Sequence, residues 1–274
     1  MRFSHFLPTT LHSLSLATLL TLTTSLALPD PNTAIFPRTV APGTPVAAPT
    51  ELRILPLGDS ITFGYQSPNG NGYRLELYND LSGDDVVMAG VIQSGSMIDN
   101  WNAGYSGKTI QYIAEQANAS LVQSPNVVLL MAGTNDMNPN PDISQQGTDA
   151  QAAASRLASL VDQVFDQVPS TVVMLAKIPH VADATQESNT RAFNALVPSI
   201  VSDRADAGQH ISLVDMSVIQ ADQLVDGVHP NAATYDQMGD IWYQALHALP
   251  QGWIAPPLGP DPDHALNRDG SNVQ

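Results

Sequence analysis

Val127-Val128-Leu129-Leu130-Met131 is an unbroken apolar run that ends at Gly133-Thr134-Asn135-Asp136. A short apolar run without alternation reads as a strand buried on both faces. The same reading fits Leu52-Arg53-Ile54-Leu55-Pro56-Leu57, which stops at Gly58, and the stretches Val86 to Ile92, Thr171 to Ile178 and Ile211 to Met216. Between these runs lie segments with helical spacing: Tyr73 to Leu81, Thr109 to Leu121, Thr148 to Val168, Thr185 to Ala207 and Ala232 to Leu249. Apolar strands alternating with such helices predict an α/β fold. It is a three-layer α/β/α sandwich with a central, mainly parallel sheet and right-handed crossovers. In sheets of this kind, functional groups gather outside the carboxyl ends of the strands.

The residues at those ends are polar and glycine-rich. The first strand runs into Gly58-Asp59-Ser60-Ile61-Thr62 and the Val127 strand into Gly133-Thr134-Asn135-Asp136. A turn before the second main helix reads Gly104-Tyr105-Ser106-Gly107-Lys108-Thr109, and Asp226-Gly227-Val228-His229-Pro230 lies near the C-terminus. Acyl transfer needs a hydroxyl made nucleophilic by a base, an imidazole oriented by a carboxylate, and donors aimed at the developing oxyanion. Ser60 supplies the hydroxyl, His229 with Asp226 the base system, and backbone amides with the Asn135 side chain the donors. Read singly, these residues are ordinary: Gly-Asp-Ser caps helices, Asn and Asp favour turns, and glycine permits close packing. Asp59 and Asp136 read as acceptors that shape the two loops.

Composition narrows the partners. The chain has 274 residues, with 43% hydrophobic and only 13% charged. Acidic residues outnumber basic ones 26 to 10, for a net charge of −16. That charge repels phosphate backbones and anionic lipid surfaces, so nucleic acid and stable membrane association are not expected. There is no cysteine, which excludes disulfides, thiol catalysis and thiolate metal sites. No His/Asp/Glu cluster has metal-ligand spacing, so neither metal nor cofactor is expected.

The apolar run Leu11 to Leu26, ending in Ser25-Leu26-Ala27, reads as a cleaved secretion signal over residues 1–27. Residues 28–50, rich in Pro, Ala and Thr, read as an unpacked linker or pro-region. One catalytic domain is expected over 51–255 and a loose tail over 256–274. Asn118-Ala119-Ser120 is a sequon for N-glycosylation. The expected product is a secreted, extracellular monomer.

The four blocks, in order and spanning Gly58 to Pro230, resemble the SGNH hydrolase superfamily. That resemblance implies Ser60 as nucleophile, His229 as base and Asp226 as its orienting acid. It also implies an oxyanion hole formed by the Ser60 and Gly107 amides and the Asn135 side chain. More narrowly, Arg53 to Thr62 followed by Asn71-Gly72-Tyr73-Arg74, and Ser94-Gly95-Ser96-Met97 leading to Asp99-Asn100, resemble fungal secreted esterases related to carbohydrate esterase family 3. Members of that group are acetyl esterases acting on xylan-type polysaccharides. The group's second block commonly reads Asn-Glu-Gly-His-Ser-Gly; here Ala103 and Tyr105 replace the Glu and His. The resemblance therefore implies a short-chain ester hydrolase acting on acetylated polysaccharide. A lipid-directed esterase or lysophospholipase with the same chemistry, and an inactive polysaccharide-binding protein, are the rival readings. Tyr73, Arg74, Trp101 and Tyr105 are candidates for the pocket wall. His180, read as lacking a carboxylate partner, is a candidate substrate contact.

Overall fold

The computed structural model describes Met1 and residues 38–262. The chain divides into a unit of residues 1–34 and a unit of residues 35–274, and the account below concerns the second. The expected signal therefore lies outside the described residues, Met1 apart.

In chain order the elements are β1 (Leu52–Gly58), α1 (Ser60–Phe63), α2 (Arg74–Asp80), β2 (Val86–Met88), β3 (Ile92–Gln93), β4 (Trp101–Gly104), α3 (Ile110–Leu121) and β5 (Val127–Met131). They continue with α4 (Ala150–Gln167), β6 (Val172–Lys177), α5 (Ala184–Asn194), α6 (Val197–Asp206), β7 (Ile211–Asp215) and α7 (Ala232–His247). The seven strands form one sheet in the order β3-β4-β1-β5-β6-β7, with β2 also paired to β1. All pairings are parallel except β3 with β4. Helices flank the sheet, giving the three-layer α/β/α sandwich expected from the sequence. Every residue of β1 and β5 is buried, as the wholly apolar run of β5 and the run of β1, apolar but for Arg53, require.

Pro56 sits inside this central strand although it has no N–H to give. On one edge β1 pairs with β2 over 52–54 and with β4 over 57–58. Leu52 N–H donates toward that edge, and the carbonyls of Ile54 and Gly58 accept there. Backbone groups alternate sides along a strand, so Pro56 faces the same edge. It falls in the gap between β2 and β4, where no donor is needed.

Aspartate and asparagine side chains set the helix starts. Asp59, Asp149, Asp183 and Asn231 accept from first-turn amides of α1, α4, α5 and α7. The helix expected over Thr185 to Ala207 is two helices. α5 ends at Asn194, and α6 restarts at Val197 with Pro198 in its first turn, where proline's missing N–H costs nothing.

Residues 38–50 correct the expectation of an unpacked linker. Arg38 meets Asp80 at 2.8 Å, Glu76 at 2.6 Å and Asp240, joining this segment to α2 and α7. The Asp84 carboxylate accepts from the amides of Val46, Ala47 and Ala48 at 2.8–3.1 Å. The segment forms no helix or strand, so its Pro-rich composition excluded elements but not packing. At the other end, the start of the expected tail is also tied down. The buried Arg53 of β1 donates to the Leu258 carbonyl at 3.2 Å and pairs with Asp261.

Candidate active site

The four blocks converge at the carboxyl edge of the sheet. β1 lies between β4 and β5, so their C-terminal loops are neighbours. Tyr105 N–H donates to the Gly58 carbonyl at 2.9 Å, drawing the loop after β4 against the start of α1. Gly58 is required by close approach: a Cβ there would stand 2.2 Å from the Met131 carbonyl oxygen. That contact lets α1 leave β1 directly over the end of β5. Asp59 caps α1 by accepting from Ile61 N–H at 3.0 Å. Ser60 is thus the first residue of α1, where free amides favour negative charge.

Ser60 Oγ is 2.8 Å from His229 Nε2. His229 Nδ1 is 2.8 Å from Asp226 Oδ2, and Asp226 Oδ1 accepts the His229 N–H at 2.8 Å. Partial burial alone raises the Asp226 carboxyl. The bonds from the His229 amide and ring and from Val228 N–H outweigh it and hold the group below its usual range. The loop carrying both residues is closed by Val225 N–H to the His229 carbonyl at 2.8 Å. It is braced from the β6–α5 loop by Ala182 N–H, which donates to the Gly227 carbonyl at 2.8 Å. A hydroxyl hydrogen-bonded to an imidazole held this way can surrender its proton and become a nucleophile.

The other two blocks flank Ser60. Gly107 has φ +74°, a left-handed conformation suited to glycine, and its α-carbon faces open space. Asn135 Nδ2 donates to the Lys108 carbonyl at 2.9 Å, linking the loops after β5 and β4. An amide nitrogen carries a second hydrogen, which that bond leaves available. Asp136 Oδ2 accepts from Ile110 N–H, and its Oδ1 takes Arg156 Nη2, each at 2.9 Å. Asp59 and Asp136 therefore hold loops in place.

The candidate pocket-wall residues fare differently. Tyr73 and Arg74 are fully buried, which overturns their placement as substrate contacts. The Tyr73 hydroxyl lies 3.1 Å from Thr62 Oγ1. The Arg74 guanidinium donates to the carbonyls of Thr62, Phe63, Gly70, Ser94 and Asn100 at 2.9–3.3 Å. It fixes the end of α1 from below. Tyr105 packs along α3, its ring edge-on to Tyr112 at 5.8 Å and its hydroxyl beside Ser120. Trp101 is half-buried on the antiparallel edge opposite Gln93. His180 does have a carboxylate partner, in Glu187 one helix further on, at 2.6 Å. Its ring is thereby engaged in the β6–α5 loop.

The sequence reading missed Tyr65. This residue follows Gly64, which caps α1, and is 46% exposed. The ring centroid lies 4.7 Å from that of His229, with the planes at 64°. A shallow depression of about 200 Å³ opens beside Gly107, its lining including Lys108, Asp142, Gln145 and Gln146.

The profile of the GDSL-like Lipase/Acylhydrolase family matches residues 57–237, which contain all four blocks. A multidomain esterase of Ruminococcus flavefaciens is 31% identical over 270 residues, covering 86% of this chain. The chain spans only 33% of that protein's length. The structure of a Clostridium thermocellum family 3 carbohydrate esterase is similar with a TM-score of 0.62 at 29% identity, covering 72% of this chain and 98% of the other. A carbohydrate esterase family 3 structure from Talaromyces cellulolyticus shares the fold with a TM-score of 0.57 at 23% identity, covering 73% and 100%.

Proposed function

This chain belongs to the GDSL-like Lipase/Acylhydrolase family, and from that premise we propose that it is a serine ester hydrolase that removes acetyl groups from neutral polysaccharide such as acetylated xylan. The observation that carries the reading is the line from Asp226 Oδ2 through the His229 ring to Ser60 Oγ, each contact 2.8 Å.

In the first step His229 Nε2 takes the Ser60 proton as Oγ bonds to the ester carbonyl carbon. The tetrahedral oxyanion is held by the Ser60 and Gly107 amides and by the free hydrogen of Asn135 Nδ2. Collapse breaks the bond to the sugar oxygen, which leaves with the proton from His229. Water then gives a proton to the same nitrogen as it attacks the acyl-serine. Acetate departs, and Ser60 Oγ recovers its proton. Asp226 stabilises the imidazolium formed in each step. The names of the Ruminococcus and Clostridium relatives support ester hydrolysis and a carbohydrate ester. The net charge of −16 disfavours an anionic substrate and favours a neutral one. An extracellular site of action is supported by the signal-like run Leu11 to Leu26 and by the family resemblance. No helix of the described residues is long and apolar enough to cross a membrane.

The test is acetate release from acetylated xylan, beside a p-nitrophenyl ester series of increasing acyl length and a Ser60→Ala control. Acetate release with a sharp preference for acetyl, lost in Ser60→Ala, is the expected result. Activity rising toward long acyl chains with xylan untouched would move the substrate to lipids. A folded protein silent on every ester would reject the hydrolase reading.

A further inference from the structure

The hydrolysis proposed above does not use Tyr65, yet the structure gives this residue an unusual setting. Its main chain is clamped: the N–H donates to the Ser60 carbonyl at 3.0 Å, and the carbonyl accepts the Tyr235 hydroxyl at 2.7 Å. Tyr235 itself is buried at 1% exposure. The residue as a whole is 46% exposed, and its ring packs edge-on against the His229 imidazole. A large apolar face kept near water and fixed at its root loses little entropy on meeting a ligand.

The direction of proton transfer says which part of the substrate meets that face. Nε2 must hand its proton to the leaving oxygen, so that oxygen comes within hydrogen-bond reach of His229. The group carried by the leaving oxygen then lies on the imidazole's side of the site, away from the acetyl carbon held at Ser60. Tyr65 is the exposed aromatic ring on that side, with centroids only 4.7 Å apart. We infer that Tyr65 is the specificity-determining platform for the alcohol half of the ester, stacking its ring on the apolar C–H face of a sugar unit. The inference rests on the serine-hydrolase reading and adds the location of the leaving sugar.

The experiment compares kcat/KM for an acetylated xylooligosaccharide with that for ethyl acetate, which shares the acyl group but has no ring. Wild type, Tyr65→Ala and Tyr65→Phe are measured. The ratio of the two constants should fall about 5–10-fold in Tyr65→Ala, mostly through KM for the sugar ester, and stay within about twofold in Tyr65→Phe. The bonds that clamp Tyr65 are main-chain bonds, so the alanine variant keeps them, and its melting temperature checks that. If both constants fall in parallel, Tyr65 serves only to hold His229 and the platform is overturned. A larger loss on an alkyl ester such as octyl acetate than on the sugar ester overturns it as well. A wild-type protein silent on both esters rejects the hydrolase reading itself, and the platform with it. An active wild type with an unmoved ratio rejects the platform alone.

Discussion

Ser60 Oγ and His229 Nε2 stand 2.8 Å apart although 169 residues separate them in sequence. Asp226, three residues from His229, completes the line from the other side. In Asp226→Asn, the amide preserves the shape of the loop but no longer stabilises the imidazolium. kcat should fall by about 10²–10⁴-fold, with KM little changed. The bonds that hold the Asp226 carboxyl below its usual range favour its ionised form, the form that can balance an imidazolium.

Asn135 has a divided task. One hydrogen of Nδ2 is held by the Lys108 carbonyl at 2.9 Å, which aims the other. Asn135→Ala should lower kcat by about 10²–10³-fold if that hydrogen meets the oxyanion. Steady-state kinetics on a p-nitrophenyl acetate substrate are sufficient. A loss below about threefold would remove Asn135 from the oxyanion hole.

Arg74 yields a prediction about stability. Its buried guanidinium supplies donors to five loop carbonyls. Arg74→Met fills a similar volume but strands those acceptors. It should cost about 3–5 kcal/mol and lower the melting temperature by roughly 10–15 °C. Assayed well below its melting temperature, the variant should keep KM within about twofold of wild type. A large rise in KM with unchanged stability would restore Arg74 as a substrate contact.

The carboxyl of Asp99 lies inside the protein beside this arginine. Burial pushes it up to about 7, against the lowering effect of the Met88 and Trp101 amides and the Arg74 charge. Asp59, Asp80 and Glu51 are also pushed up, chiefly by burial, to about 6, 6 and 7. Between its ordinary value of about 4 and its raised value, each group binds a proton more tightly in the folded than in the unfolded chain. Stability from these groups is therefore gained as pH falls through that window. Asp226, Glu187 and Asp215 are held low and act in the opposite sense, but only below the ordinary carboxylate range. The melting temperature should rise from about pH 7.5 to about pH 5.5 and fall again below about pH 4. Asp99→Asn should flatten the upper part of that curve, measured by calorimetry. An equally steep rise in the variant would assign the effect elsewhere.

Much of this was legible in the chain itself. The apolar runs at β1 and β5 can be satisfied only by a sheet covered on both faces, and the polar blocks at their ends then had one place to meet. Where side chains point was less legible. Tyr73 and Arg74 open the segment of helical spacing after Gly72, and only the tertiary fold shows that both turn inward. The His180–Glu187 pair spans the start of a helix, and no spacing rule marks it. Tyr65 gave no signal because an aromatic after a glycine is ordinary; its meaning depends on His229, far away in sequence. The packing of residues 38–50 was hidden for a related reason. Isolated main-chain amides meeting Asp84 leave no periodic pattern.

The loop that holds Asp226 and His229 is stitched to itself. Leu224 bridges Pro230, Val225 N–H meets the His229 carbonyl, and Asn231 N–H meets that of Gln223 at 3.0 Å. Asp226 and His229 thus share one self-stitched loop, while Ser60 stands on a helix far away in sequence. A shift of that loop as a whole changes the gap to Ser60 and leaves the acid–base contact intact. The distance from Ser60 to the pair is therefore set by where this loop is seated, and the Ala182–Gly227 bond is one of the contacts that seat it.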